Sequence, residues 1–231
     1  MSDAEFDQAL EKVQTQLHRR SGPSRDFLHG SPDSIAYTIG REAIIFLGGG
    51  RAAYLQIAHP FVAVGVHHHS DVKNGVQQRF YRTFEYVFGM TFGENTEIFR
   101  AARSVRRLHE RVFGSFPQTI GPFIKGADYT AHNADAMYWV AATLGDSAVM
   151  LYELFVRLLS DDEKTRFLEE GRVFRQLFGI PERCERRTWR DFMVSLPAAL
   201  LVQIILHCLT VCPCATVALR LTTRKCGVQI Y

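Results

Sequence analysis

Apolar residues recur at intervals of three and four along almost the whole chain, and this spacing constrains the fold more than any other feature. Residues 97–113 show the pattern, and residues 133–159 form the longest periodic segment. In residues 1–19 the apolar positions form one stripe: Phe6, Leu10, Val13 and Leu17. A period of 3.6 is typical of an amphipathic helix, and no window shows the sustained alternation of a half-buried strand. The sequence therefore predicts an all-α fold of roughly seven to nine helices.

Start and stop signals divide the rest of the chain. Ser160 and Glu163 form a capping box that begins a helix running to Phe178. The run Gly48-Gly49-Gly50 lacks the Gly-Lys-Ser/Thr ending of a phosphate loop, and no strand pattern precedes it. We interpret it as a closely packed end of the preceding helix. Further helices are expected over 34–47, 51–56, 76–88 and 188–194, with turns or breaks at 73–75, 89–93 and 115–125.

Length and composition bound the domain organisation. The chain has 231 residues, of which 47% are hydrophobic, enough for one sizeable core. We expect a single multi-helix globular domain over residues 31–193, an N-terminal helix and linker over 1–30, and a divergent apolar segment over 194–231. The net charge of +3 is too small for a nucleic-acid footprint, so no nucleic-acid partner is expected.

Cysteine usage and the N-terminus bear on the compartment. The five cysteines are an odd number without framework spacing, which predicts a reduced, intracellular protein. The first residues are acidic and amphipathic and lack an apolar signal region, so secretion is not expected. We expect a cytoplasmic protein or one associated with the endoplasmic-reticulum membrane.

No charged residue occurs between Val194 and Leu219. That length permits a membrane span, although Pro197 and Pro213 interrupt it. Three interpretations stay open: a membrane-associated segment, a helix covered by the core or a partner, and a terminus without regular structure.

Three polar residues share a face of the helix expected over 76–88. Arg79, Arg82 and Thr83 have spacings of three and four and are bordered by aromatic residues. On pattern alone they form a surface salt-bridging face. The alternative is a catalytic pocket set, in which fixed cations and a hydroxyl orient an oxygen species or pair with a propionate, whose carboxylate the Arg fork matches.

A lone histidine, His109, follows Leu108 on the apolar side of the helix over 97–113. By default such a residue is a core or interface histidine. The functional alternative is an axial ligand to a haem iron. Arg106 and Arg107 lie within two turns and would then neutralise the haem propionates. No Cys-x-x-Cys-His motif is present, so any haem would be bound non-covalently.

The run His67-His68-His69 is a second candidate for metal binding, because imidazole suits first-row metals. Consecutive residues on regular structure cannot all face one point, so at most two would serve as ligands. The simpler interpretation is a polar loop after an apolar helix.

Several short motifs in a fixed order resemble one family, the rubber oxygenase (latex-clearing protein) and fungal MpaB-type oxygenase catalytic domain. The similarity covers about residues 35–192. The matching motifs are Gln56 to Pro60, Gly65 to Ser70, Arg79 to Thr83, Val105 to His109, Trp139 to Thr143, Tyr152 to Phe155 and Leu177 to Pro181.

The resemblance implies an all-helical domain with globin-like packing around a haem b pocket. Carried over by position, His109 is the axial histidine, and Arg79 and Thr83 are the pocket arginine and threonine. Arg82 falls where rubber-cleaving members have a lysine that can cap the iron. Arginine does not lose its proton, so we expect no such cap here. Ala141 stands where many relatives have histidine, and the chain after about Met193 departs from the family pattern.

The preferred hypothesis is a haem-dependent oxygenase that acts on an apolar isoprenoid or prenylated substrate with dioxygen. The alternative is a non-catalytic binding or scaffold protein of the same fold, with a membrane or partner contact through 194–219. The sequence does not indicate an oligomeric state.

Overall fold

The computed structural model of the protein describes residues 3–20, 33–69, 72–120 and 123–194. Helices dominate this part of the chain, which confirms the all-α prediction. The α-helices are α1 Asp3–Arg20, α2 Ile35–Gly40, α3 Gly48–Gln56, α4 Pro60–His69, α5 Val72–Phe92, α6 Asn95–His109, α7 Ala134–Phe155, α8 Asp161–Glu170 and α9 Arg172–Leu177. Short 3₁₀ helices cover Ala43–Leu47 and Glu182–Cys184, and residues 189–194 are helical.

The predicted apolar stripe of α1 lies in the core. Phe6, Leu10, Val13 and Leu17 are all buried. They form one cluster with residues of α6 and α9, among them Ile98 and Leu177. Burial of this face explains why an otherwise acidic helix docks on the domain.

Helices α5 and α6 pack against each other and are joined by a tight turn. A Cβ atom at Gly93 would lie 2.3 Å from the carbonyl oxygen of Gly89, so only glycine fits there. Glu94 caps α6, and its backbone N–H donates to Glu97 Oε2 over 3.3 Å. The break expected over 89–93 is therefore confined to its last residue.

The long helix α7 organises the second half of the domain and packs mainly on α3. Trp139 Nε1 donates to the carbonyl oxygen of Leu55 over 2.9 Å. Arg51 bridges the two helices through Asp146 at 2.6 Å and Ser147 Oγ at 2.7 Å. These polar contacts fix the register between α3 and α7, whose small residues allow close approach.

Gly48 is the C-cap of the 3₁₀ helix Ala43–Leu47, as predicted, and its N–H donates to the carbonyl oxygens of Ile45 and Phe46. Gly48 to Gly50 also begin α3 without a break. A Cβ at Gly48 would lie 3.3 Å from Ser147 Cβ, so this glycine also provides the close packing that was predicted. The turn predicted over 73–75 is wrong. Residues 73–75 lie in the first turn of α5, where the end of a helix tolerates Asn and Gly.

Other boundaries also differ from the predictions. The helix expected to run from Ser160 to Phe178 is divided into α8 and α9 at Gly171, although its capping box is confirmed. Gly179 follows α9 with a φ of 90°, the left-handed conformation that favours glycine. The histidines 67–69 form the last turn of α4 rather than a loop.

A small sheet is the exception to the helical fold. Strands β1 Phe113–Ser115 and β2 Asp128–Thr130 pair antiparallel, with Gly114 opposite Tyr129. A Cβ atom at Gly114 would lie 3.0 Å from the Tyr129 hydroxyl oxygen. The aromatic ring therefore uses the space that the glycine leaves.

The apolar segment 194–219 lies outside the described residues except for Val194, as do residues 21–32, so the proposed domain boundaries stay predictions. Among the helices that the structure describes, none is both long and apolar enough to cross a membrane.

Candidate functional site

The predicted pocket residues of α5 lie in the first half of that helix. Arg79 is helical, and its side chain is not described. Arg82 and Thr83 are exposed. Thr83 lies one turn before Val87, which lines the apolar cavity described below.

His109 is the last residue of α6, and its side chain packs between an aromatic ring and a second histidine. The Phe178 ring meets the imidazole edge-on, with centroids 5.6 Å apart and an interplanar angle of 85°. The His132 ring lies 6.2 Å away at 72°. Within the described part of the chain, no hydrogen bond to a ring nitrogen of His109 is present.

The surroundings of His109 favour a neutral imidazole. Burial is the main cause that lowers its pKa to about 4, and the nearby His132 and Arg106 add to the effect. At neutral pH the ring therefore keeps a nitrogen lone pair, which is what a metal ligand needs. No hydrogen bond among the described residues consumes this lone pair.

His132 is a feature that the sequence analysis did not single out. It lies between β2 and α7, and both of its ring nitrogens are buried without a hydrogen-bond partner among the described residues. Burial, followed by the Arg106 charge, lowers the pKa of His132, and Glu110 opposes this shift. Buried polar atoms normally have hydrogen-bond partners. We therefore expect these two nitrogens to bind a ligand or a water, or to gain a partner when the ring moves.

The two arginines predicted to bind a cofactor occupy different settings. Arg106 Nη2 lies 2.6 Å from Asp3 Oδ1, and its guanidinium carbon is 5.1 Å from the ring centroid of Phe6. It therefore joins α6 to α1. Arg107 is exposed and donates to Ser104 Oγ over 3.1 Å.

An apolar cavity of about 170 Å³ lies between α2, α3, α5 and the helices α7 to α9. Its walls include the aromatic residues Phe84, Phe88, Phe92, Tyr138, Phe167, Phe174 and Phe192. This volume is below the roughly 300–1,000 Å³ of typical ligand sites, so it suits a segment of an apolar molecule. Phe84, next to Thr83 on α5, is one of these walls.

His109 does not line this cavity, but two aromatic rings connect them. Phe178, which contacts His109, is stacked with Phe174 at a centroid distance of 6.0 Å and an angle of 9°. Phe174 forms part of the cavity wall. The histidine and the cavity are thus linked through Phe178 and Phe174.

The histidine run at the end of α4 contacts the small sheet. His68 Nδ1 lies 3.0 Å from the Tyr129 hydroxyl, and His69 Nε2 lies 3.1 Å from the same oxygen. His69 Nε2 is also 3.1 Å from the carbonyl oxygen of Phe113. Because a carbonyl only accepts, His69 Nε2 carries a proton, and the Tyr129 hydroxyl is left to donate to His68. These contacts give the run a structural role.

A buried ion pair between Arg175 and Glu185 borders the cavity. Arg175 Nε donates to Glu185 at 2.9 Å and 2.7 Å for the two carboxylate oxygens, and Arg175 Nη2 also donates to Glu185. Arg175 Nη2 further donates to the carbonyl oxygen of Leu168 over 2.7 Å. Because Arg175 also lines the cavity, this pair fixes part of its wall.

These features define a class of protein. It is a helical domain in which a histidine without a hydrogen bond among the described residues is linked through two aromatic rings to an apolar cavity. A family model described as ER-bound oxygenase mpaB/B'/Rubber oxygenase, catalytic domain matches residues 37–208. The match spans most of the chain, and the chain belongs to this family. Membership supports an oxygenase-like, oxidoreductase function.

Two further comparisons gave no match: none was found to a curated protein, and none to a solved structure. Among the described residues, no group of three or more His, Cys, Asp or Glu side chains is placed to hold a metal ion.

Proposed function

We propose that the protein is a haem-dependent oxygenase that uses dioxygen on an apolar isoprenoid or prenylated substrate. The observation that carries this proposal is the setting of the His109 imidazole in an oxygenase-family chain: the ring packs edge-on to Phe178 and has no competing hydrogen bond among the described residues. When bound, haem b would supply the iron at which dioxygen is activated.

His109 suits the role of the single protein ligand. Its helix has an apolar face, and the ring next to it is Phe178 rather than a carboxylate. A neutral imidazole is a common axial ligand. Arg107, two residues before His109 on α6, is exposed and is our candidate partner for a haem propionate, whereas Arg106 would have to exchange Asp3 for that role.

The apolar cavity is our candidate for the substrate site. Its aromatic walls exclude water and would hold an unsaturated hydrocarbon segment through apolar contact. Because the cavity is small, we expect a longer substrate to extend out of it. The stacked rings of Phe174 and Phe178 connect the cavity wall to the proposed ligand, which supports this assignment.

Arg79, Arg82 and Thr83 are our candidates for catalytic residues. Thr83 offers a hydroxyl that can donate a hydrogen bond, and the arginines offer fixed positive charge. All three lie on α5, which also supplies Phe84 and Phe88 to the cavity. We propose that they orient dioxygen or pair with a propionate at the mouth of this cavity.

Membrane association through 194–219 is a separate part of the proposal. The family description includes the words ER-bound, and this apolar segment lies almost wholly outside the described residues. If the segment contributes, a chain ending at Met193 should partition less into phospholipid vesicles than the full chain. Equal partitioning of the two chains would remove this part of the proposal.

One observation favours a different function, a binding or scaffold protein of the same fold. Large apolar side chains are exposed at the end of α7, with Leu154 at 68% and Leu158 at 79% of their full exposure. Exposed apolar patches of this kind often mark contacts with a partner or membrane.

Purification of the full chain with absorption spectroscopy and iron analysis separates the two functions. The oxygenase proposal predicts a Soret band, close to one iron per chain, and dioxygen uptake on addition of an isoprenoid. A well-folded protein that stays colourless when haem is added would support the binding function instead.

A further inference from the structure

His132 is held in a fixed position by its backbone. Its N–H donates to Thr130 Oγ1 over 3.2 Å, and the N–H of Asn133 donates to the Thr130 carbonyl over 3.1 Å. Asn133 then caps α7, accepting from the N–H of Ala136 over 2.9 Å. The strand end on one side and the helix start on the other thus determine where the His132 ring lies.

The His132 ring lies against the His109 ring. Each imidazole can supply a hydrogen-bond donor or acceptor that the other lacks. A neutral imidazole offers one N–H and one acceptor nitrogen. Both ring nitrogens of His132 are buried without a partner among the described residues, and its centroid is 6.2 Å from that of His109. Other polar groups nearby are poor acceptors for His109, because Arg106 can only donate and Glu110 is exposed.

A metal-binding histidine almost always donates its second N–H to an acceptor, which fixes the ring and strengthens the ligand. We propose that His132 is the positioning residue that accepts the second N–H of His109 when His109 binds the haem iron. This inference rests on the proposed function, and it assigns to His132 a role in setting the strength of the iron ligand.

The observed separation sets how the contact is made. A direct N–H···N bond joins nitrogens about 2.9 Å apart, so the two rings must approach by roughly 1 Å or share one water. The site is polar enough for such a water, because both ring nitrogens of His132 are buried there without a hydrogen-bond partner among the described residues and the His109 ring lies beside them. In the direct contact the His132 ring accepts from His109, and in the second case the water accepts from His109 and donates to the His132 ring.

The test compares His132→Leu with His132→Gln in the full-length, haem-loaded protein. Leucine removes the acceptor, whereas glutamine keeps one. The expected result for His132→Leu is a lower Fe–His stretching frequency in the ferrous Raman spectrum, a higher midpoint potential, and haem affinity reduced roughly 10- to 100-fold. His132→Gln should retain most of each property.

His59→Leu is the matched control. His59 is also buried with an unpartnered ring nitrogen, Nδ1, but its neighbours are Phe61 and Trp139. It should leave the Fe–His frequency and the potential as in the unmodified protein. Circular dichroism of each variant checks that the fold is retained.

The outcomes separate this inference from the proposed function. If His109→Ala loses haem but His132→Leu keeps the unmodified Fe–His frequency and affinity, the oxygenase proposal stands and the role of His132 is refuted. If the unmodified chain binds no haem, the proposed function fails. Nitrogen-15 NMR of the haem-free protein then decides whether His132 pairs with His109. A single His109 tautomer that becomes mixed in His132→Leu supports the pairing, and identical spectra refute it.

Discussion

The Phe178 ring stands edge-on to the His109 imidazole, with centroids 5.6 Å apart and an interplanar angle of 85°. Phe178 is also stacked with Phe174, which lines the apolar cavity. The proposed iron ligand and the proposed substrate cavity therefore share one aromatic connection. A change at Phe178 should affect the packing of both.

Phe178→Ala should lower the free energy of unfolding by about 3 kcal/mol, at the lower end of the range for aromatic core truncations because Phe178 is only partly buried. Urea denaturation followed by circular dichroism measures this loss. Phe155→Ala is the control, since Phe155 is 58% exposed at the end of α7 and its removal should change stability by less than about 0.5 kcal/mol. Equal effects of the two truncations would contradict the assigned packing.

Glu185→Gln should destabilise the domain strongly. It leaves the Arg175 guanidinium buried without its counter-charge, and breaking a buried pair typically costs about 3–5 kcal/mol. The same change at Glu163, whose partner Arg157 is exposed, should have a much smaller effect because solvent screens that pair. Chemical denaturation of the two variants provides the comparison, and similar losses would show that the Arg175 pair is not effectively buried.

Acidification should destabilise the protein before its carboxylates titrate. Burial lowers the pKa of His59 and of His109 to about 4, whereas the unfolded value is 6.5. As the pH falls from 6.5 toward 4, the unfolded chain binds protons that the folded chain does not, so stability falls. Between pH 7.5 and pH 5 the loss should be roughly 2 kcal/mol per histidine.

Urea titrations at pH 7.5 and pH 5 measure this loss. His59→Leu should lose roughly 2 kcal/mol less stability between the two values than the unmodified chain, because the contribution of His59 is gone while the buried His109 and His132 remain. Replacement of the exposed His67 by Leu should leave the full loss in place. A pH dependence that is unchanged in His59→Leu would contradict the assignment.

Arg82 should not act as an iron ligand. A guanidinium stays protonated and offers no lone pair, and Arg82 is exposed on α5. Arg82→Ala should therefore leave the resting Soret band unchanged. Arg82→Lys introduces an amine that can lose its proton, so it should show a six-coordinate spectrum at alkaline pH. A nitrogenous sixth ligand in the unmodified protein that vanishes in Arg82→Ala would be inconsistent with this view.

Sequence periodicity predicted those elements whose burial depends on a single helix face. The stripe of α1 is buried as expected, and the capping box of Ser160 and Glu163 forms at the start of α8. Such features are local, because the residues that decide them lie within two turns of one another. The family resemblance predicted a site on α5 and α6, and this site stays a prediction. The family membership itself is confirmed.

Contacts between distant segments were not predictable from the same patterns. Nothing near His132 indicates that its ring will face His109, since the placement depends on the small sheet and on the start of α7. Likewise, His68 and His69 looked like a polar loop, because their partner Tyr129 lies on β2. Gly48 was correctly predicted as a helix end, but its packing partner Ser147 could not be, because that contact is long-range.

The most direct measurement of the central claim is a haem titration of His109→Ala beside His68→Ala, followed by the Soret band. Loss of the His109 imidazole should abolish stoichiometric haem binding while the helical circular dichroism remains nearly unchanged. His68→Ala should bind haem like the unmodified protein, because His68 is engaged with Tyr129. A normal Soret band in His109→Ala together with its loss in His68→Ala would contradict the account and place the iron at the end of α4.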